Sequence, residues 1–121
     1  MLNLEDNLQR AICQYCELTL ASSVIWFAVP NGGRRTKIEA ARMKFMGVKP
    51  GVADLVFAWG DSLFSYVLFV ELKSDKGRQS AHQKAFQEKC EENYFTYRIC
   101  RSLDEFSSIL KEYNVPRRVK R

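Results

Sequence analysis

The chain has 121 residues, a length that suits one hydrophobic core and excludes two independent domains. Hydrophobic residues make up 46% and charged residues 27%, which excludes a disordered polyelectrolyte. The formal net charge is +5, and His82 is the only histidine, so hydrolases that need two histidines from one chain are excluded.

The first half of the chain divides into a helix, a strand and a short second helix. Apolar residues at three- and four-residue steps predict an amphipathic helix over residues 3–20. The β-branched and aromatic run at residues 24–29 predicts a strand that ends at Pro30, and residues 31–33 predict a turn. Residues 35–46 predict a short basic helix that ends at Gly47.

The second half contains three predicted strands and two predicted helices. The apolar runs at residues 52–59 and 66–73 predict two strands joined by a hairpin loop. Ser80 and Gln83 have the spacing of a capping box, which predicts a helix that runs to about Glu92. Residues 96–100 predict a further strand, and a second capping box at residues 102–105 opens the last helix.

This order of elements predicts one α/β domain over residues 1–115, with a mixed sheet flanked by helices. The last six residues, 116–121, form a basic tail with four lysines and arginines. We expect this tail to be disordered, because a run of like charges is usually solvated.

The cysteines and the N-terminal residues indicate a cytoplasmic protein. Cys13 and Cys16 have the spacing of half a zinc site, but nine residues separate Cys90 from Cys100. Because the first pair lies in a predicted helix, we expect reduced thiols rather than zinc or a disulfide. The apolar runs are shorter than the roughly 18 residues of a membrane-spanning helix, and the N-terminus is acidic, so we expect neither an anchor nor a signal peptide.

Three charged residues stand at the ends of strands that are otherwise apolar. Glu71 and Lys73 end the run at residues 66–73, and because side chains alternate along a strand, both point to one face. Asp54 interrupts the start of the preceding strand, so antiparallel pairing would bring it close to Glu71. Two converging carboxylates suit Mg²⁺ or Mn²⁺. A plain Glu71–Lys73 ion pair with Asp54 at a turn is the alternative.

The same residues carry a resemblance to a known family. Asp54, sixteen intervening residues and Glu71-Leu72-Lys73 resemble the PD-(D/E)xK nuclease signature, which is weak by itself. Over nearly its whole length the chain is also similar to the VRR-NUC family, in particular to the stand-alone members of phages and bacteria. The motifs that match in order and spacing are Glu5, VPNGG at 29–33, MGVKPGVADL at 46–55, ELKS at 71–74 and RQSAHQ at 78–83.

The resemblance implies a restriction-endonuclease-like fold and Mg²⁺- or Mn²⁺-dependent hydrolysis of DNA in the cytoplasm of a bacterium or phage-infected host. The implied metal ligands are Asp54, Glu71, the backbone carbonyl of Leu72, and Glu5. Lys73 matches the catalytic lysine, and Gln83 matches a glutamine that opens the next helix. Two alternatives remain open: the helix dipole also explains Glu5, and the capping box also explains Gln83. Ala53 replaces the proline of the signature, and this change removes no reactive group.

Basic residues near these motifs predict contacts with DNA phosphates rather than with base edges. They follow the turn at residues 31–33 or the strand that ends at Lys73: Arg34, Arg35, Lys37, Arg42, Lys44, Lys76 and Arg78. Asn31, in the turn itself, is a further predicted DNA contact. By analogy with the family, we expect a homodimer that cleaves branched DNA such as four-way (Holliday) junctions. The alternatives are a general or flap-directed nuclease, a non-catalytic DNA-binding module on the same fold, and an RNase.

Overall fold

The computed structural model describes residues 3–30 and 36–119. Over these residues the chain forms four helices and four strands. In chain order they are α1 (Leu4–Thr19), β1 (Ile25–Ala28), α2 (Lys37–Phe45), β2 (Leu55–Gly60), β3 (Ser65–Leu72), α3 (Ala81–Glu92), β4 (Thr96–Cys100) and α4 (Leu103–Glu112). The sequence predicts every one of these elements in type and order. None of the helices in the described ranges is long and apolar enough to cross a membrane.

The strands form one mixed sheet in the order β1-β2-β3-β4, which confirms the predicted α/β fold. β1 pairs with β2, and β2 with β3, in antiparallel fashion, whereas β3 and β4 are parallel. The tight β2–β3 hairpin is closed by the Asp61 carboxylate, which accepts from the amides of Leu63 and Phe64, both at 2.8 Å. The start of β2 therefore lies beside the end of β3, as the site prediction requires.

The sheet has a thick apolar core on one face and a smaller one on the other. α1 and α4 cover the first face, where the fully buried Phe57 ring lies 6.2 Å from Trp26 and 5.6 Å from Phe106. α3 covers the second face, where Phe86 packs against Tyr97 and Phe69. Alternation along β3 thus sends Leu68, Val70 and Leu72 into the main core and turns Phe69 and Glu71 toward α3.

The two predicted capping boxes form to different extents. At the start of α3, Ser80 and Gln83 make both reciprocal bonds, as predicted. At the start of α4, Ser102 Oγ accepts from the Glu105 amide at 3.0 Å, but the Glu105 carboxylate accepts from the Arg101 amide at 2.7 Å. The second box is therefore incomplete, because its acid reaches the amide one residue before the cap.

The C-terminal segment differs from the expected disordered tail over residues 116–119. The backbone of Arg117 forms an isolated antiparallel β-bridge with Leu20, and the Arg117 guanidinium donates to Tyr15 Oη at 3.1 Å. The guanidinium of Arg118 donates to the Glu17 carbonyl at 3.0 Å. Arg118 thus satisfies a carbonyl in the last turn of α1, where carbonyls lack partners within the helix, and Arg117 satisfies a tyrosine hydroxyl of the same helix. Residues 120 and 121 lie outside the described part of the chain.

Candidate active site

Asp54 forms hydrogen bonds with the residues of β3 on either side of Glu71. Its amide donates to the Val70 carbonyl at 3.1 Å, and its carboxylate Oδ2 accepts from the Leu72 amide at 2.7 Å. Burial raises the pKa of the Asp54 carboxyl, and the negative charges of Glu71 and Glu5 raise it further. The hydrogen bond from the Leu72 amide lowers the same pKa. The structure therefore brings Asp54 and Glu71 together, and the charge of Glu71 acts on Asp54.

Glu71 and Lys73 lie on one face, as strand alternation predicts. Glu71 is fully buried, Lys73 is 7% exposed, and Lys73 Nζ lies 3.6 Å from Glu71 Oε2. That oxygen accepts no hydrogen bond from any residue that the structure describes. Burying an ion pair and leaving one oxygen without a donor costs free energy, so the arrangement favours a functional site over a stabilising ion pair.

The other oxygen of Glu71 has two donors that sequence reasoning missed. Tyr97 Oη donates to Glu71 Oε1 at 2.5 Å, and Gln79 Nε2 donates to the same oxygen at 2.9 Å. Gln79 Nε2 also donates to Gln87 Oε1 at 2.8 Å. Tyr97 has the pattern of an ordinary core residue of β4. Gln79 lies in the RQSAHQ motif, but nothing in that motif indicates a contact with Glu71.

Gln83 caps α3 and also contacts Lys73. Its Oε1 accepts from the Ser80 amide at 2.8 Å, which completes the capping box of α3. The same oxygen accepts from Lys73 Nζ at 2.9 Å. The start of α3 therefore fixes the position of the lysine ammonium beside the carboxylates.

Glu5 lies near the site without joining a ligand cluster. It is half-buried in the first turn of α1, and its Oε1 would be 3.4 Å from a Cβ at Gly77, in the turn after Lys73. Its charge acts on Asp54. Within residues 3–30 and 36–119, no three acidic, histidine or cysteine side chains converge closely enough to bind a metal by themselves. The structure thus gathers two carboxylates, with Glu5 at longer range.

A basic groove leads away from Asp54 between α2 and the start of α3. Near the site it is lined by Asp54, Gln83, Lys44 and Lys49, and it continues along α3 past His82 to Phe86 and Lys89. Its wall depends on Gly51, where an added Cβ would lie 2.4 Å from the His82 backbone. Its lysines give the groove a positive charge, which suits a phosphate backbone. The sequence does not indicate the part formed by Lys89.

The predicted DNA-binding residues fall into three groups. Lys37, Arg42 and Lys44 lie on the exposed helix α2, and of these Lys44 lines the groove. Lys76 and Arg78 are exposed in the segment between β3 and α3. The remaining three predicted residues lie outside the described part of the chain: Asn31, Arg34 and Arg35.

Arg101 holds the turn that follows Lys73. Its Nη1 donates to three backbone carbonyls of that turn: Ser74 at 2.6 Å, Gly77 at 2.9 Å and Asp75 at 3.2 Å. One guanidinium thereby fixes the segment that faces Glu5 and carries Lys76. A lone arginine after β4 does not predict this contact, because the turn is distant in sequence.

The four cysteines are free thiols and contribute no obvious nucleophile. Burial raises the pKa of Cys16 to about 12 and that of Cys100 to about 11. At neutral pH both are therefore protonated, and the thiolate is the reactive form.

A mixed four-stranded α/β sheet gathers Asp54, Glu71 and Lys73 where its two central strands meet, as expected of a nuclease-type domain. The family model of the VRR-NUC domain matches residues 3–104, and the chain belongs to the VRR-NUC family. Family membership implies a nuclease whose substrate is DNA.

The comparison with solved structures agrees on the fold. One solved structure, described as a VRR-NUC domain protein, superposes with a TM-score of 0.72 at 21% sequence identity. The match covers 96% of this chain and 93% of that chain. No curated protein matches the chain.

Proposed function

We propose that this chain is a metal-dependent DNA endonuclease in which Asp54 and Glu71 hold Mg²⁺ or Mn²⁺. The observation that carries the proposal is Glu71 Oε2, a buried carboxylate oxygen without a hydrogen-bond donor among the described residues. Burial raises the pKa of the nearby Asp54 carboxyl, and the charges of Glu71 and Glu5 raise it further, so a cation between Asp54 and Glu71 would relieve their repulsion. Oxygen ligands of this kind suit a hard divalent ion. The Leu72 carbonyl and Glu5 remain further predicted ligands.

The bound ion and the protein side chains have different roles in the proposed reaction. When bound, a divalent cation supplies positive charge that polarises the scissile phosphate. Lys73 is held by Gln83 Oε1 at 2.9 Å and by Glu71 at 3.6 Å, so its ammonium is fixed in direction. From there it stabilises the charge that develops on the phosphate and orients the attacking water.

The basic groove supports an approach of DNA along α3. Lys44, Lys49 and Lys89 line it and pair with phosphates, while Asp54 at its inner end faces the phosphate to be cut. These contacts carry no sequence information, which favours recognition of backbone and shape. Branched DNA is the substrate class that such recognition distinguishes from linear duplex.

Exposed apolar residues support a homodimer. β1 is an edge strand of the sheet, and its Ile25 and Phe27 are 64% and 50% exposed. On α2, Ile38 and Phe45 are exposed by 82% and 91%. Apolar surface of this kind is typical of an interface. A second copy related by two-fold symmetry would bring two active sites to the two strands of a junction.

The test is a panel of labelled substrates of matched length: duplex, single strand, flap, splayed arm and four-way junction, with DNA and RNA strands. We expect cleavage of the junction with Mg²⁺ or Mn²⁺, and none with EDTA. Asp54→Ala, Glu71→Ala and Lys73→Ala should each abolish turnover, whereas Lys111→Ala, on exposed α4 surface, should cleave normally.

Each part of the proposal has its own contrary result. Activity in EDTA, or near wild-type cleavage by any of the three site variants, contradicts the metal site. Equal rates on junction and duplex indicate a general nuclease. Binding without cleavage of any substrate indicates a DNA-binding module. Light scattering coupled to size exclusion tests the dimer, and a particle of one chain's mass at physiological salt contradicts it.

A further inference from the structure

We infer that Tyr97 and Gln79 are positioning residues, which hold one oxygen of Glu71 so that the other is directed at the cation and at Lys73. This inference rests on the proposed metal site. Neither residue belongs to the Asp54, Glu71 and Lys73 signature, and both act through Glu71 rather than on the substrate.

The distribution of donors over the Glu71 carboxylate carries the inference. Tyr97 and Gln79 both donate to Oε1, at 2.5 Å and 2.9 Å, whereas Oε2 accepts from no described residue. A buried carboxylate with a purely structural role takes donors on both oxygens, since each unsatisfied buried acceptor costs free energy. Two donors on one oxygen leave the other with its lone pairs available for an ion.

Both donors are themselves fixed by their surroundings. Tyr97 is 6% exposed, and its ring packs against Phe86 with centroids 6.0 Å apart, so the phenol direction is set by packing. Gln79 is anchored by its second hydrogen bond, to Gln87 Oε1 on α3. A residue of β4 and a residue of the segment before α3 therefore converge on one carboxylate oxygen, which is the arrangement that orients a metal-binding carboxylate.

The experiment compares Mn²⁺ binding by the wild type, Tyr97→Phe, Gln79→Met and Tyr113→Phe, measured by isothermal titration calorimetry without DNA. Tyr113 is the matched control, because its hydroxyl contacts Arg98, away from Glu71. We expect Tyr97→Phe and Gln79→Met to bind Mn²⁺ roughly 10- to 100-fold more weakly. Tyr113→Phe should bind like the wild type.

A second readout separates positioning from a structural role. Excess Mn²⁺ should restore junction cleavage by Tyr97→Phe, because the ligand itself remains, but should not restore cleavage by Glu71→Gln. The melting temperature without metal reports any loss of packing separately.

The outcomes are distinct for the inference and for the proposed function. Wild-type Mn²⁺ affinity in both Tyr97→Phe and Gln79→Met overturns positioning and leaves the metal site intact. Absence of Mn²⁺ binding by the wild type, or wild-type affinity in Glu71→Gln, overturns the metal site and the inference together.

Discussion

Replacing Gly51 with alanine tests how closely the loop before β2 packs on the start of α3. Gly51 has φ +79°, and a Cβ there would lie 2.4 Å from the His82 carbonyl carbon. That carbon belongs to backbone, so relief requires the loop or the helix to move. Gly47 is a matched control in the same loop, because its φ is +94° and a Cβ there has nothing within 4 Å.

The magnitude follows from two separable costs. A side chain in the left-handed region costs roughly 1–2 kcal/mol, and both substitutions incur this strain. Overpacking costs roughly 1–3 kcal/mol more, and only Gly51→Ala incurs it. At about 4 °C per kcal/mol for a domain of this size, we expect Gly51→Ala to melt roughly 8 °C below Gly47→Ala.

Urea titration and thermal melts of both variants supply the measurement, with junction cleavage as a second readout. A displaced α3 start would also disturb the Lys73–Gln83 bond, so Gly51→Ala should lose more activity than Gly47→Ala. Equal melting temperatures for the two variants would refute the packing argument.

Three further predictions follow from burial, charge and the basic groove. Phe57→Ala should lower the free energy of unfolding by about 3–5 kcal/mol, since the ring is fully buried between two other aromatic rings; a loss under 1 kcal/mol in urea titration contradicts this. Folding raises the pKa of Asp54, so its negative charge destabilises the metal-free fold once the pH exceeds the pKa of the unfolded chain. Asp54→Asn should therefore melt at a higher temperature than the wild type at pH 7 and at the same temperature in acid. Equal melting temperatures of the two proteins at both pH values contradict this. Lys44→Ala and Lys49→Ala should each lower the slope of log affinity against log salt by about one, whereas Lys111→Ala should not change it.

Local sequence patterns are sufficient to predict the helices and strands and half of the candidate site. Strand alternation places Glu71 and Lys73 on one face, and a short hairpin permits only antiparallel pairing, which brings Asp54 beside Glu71. Each step depends on neighbouring residues or on one tight turn. The same locality explains the Ser80–Gln83 capping box.

The contacts that sequence reasoning missed join distant segments. Tyr97 reaches Glu71 across 26 positions, and the parallel register of β3 and β4 that brings them together has no signature in the sequence. Arg101 reaches the turn at residues 74–77 in the same way. A run of charge predicts a solvated tail and gives no indication of the α1 groups that Arg117 and Arg118 contact.

The measurement that tests the central claim most directly is junction cleavage by Glu71→Gln in Mg²⁺ and in Mn²⁺. The amide keeps an oxygen for Tyr97 and Gln79 and removes only the buried negative charge. We predict no cleavage by this variant, with junction binding in EDTA and the melting temperature retained. Cleavage at the wild-type rate by the folded variant would contradict a metal-dependent site built on Glu71.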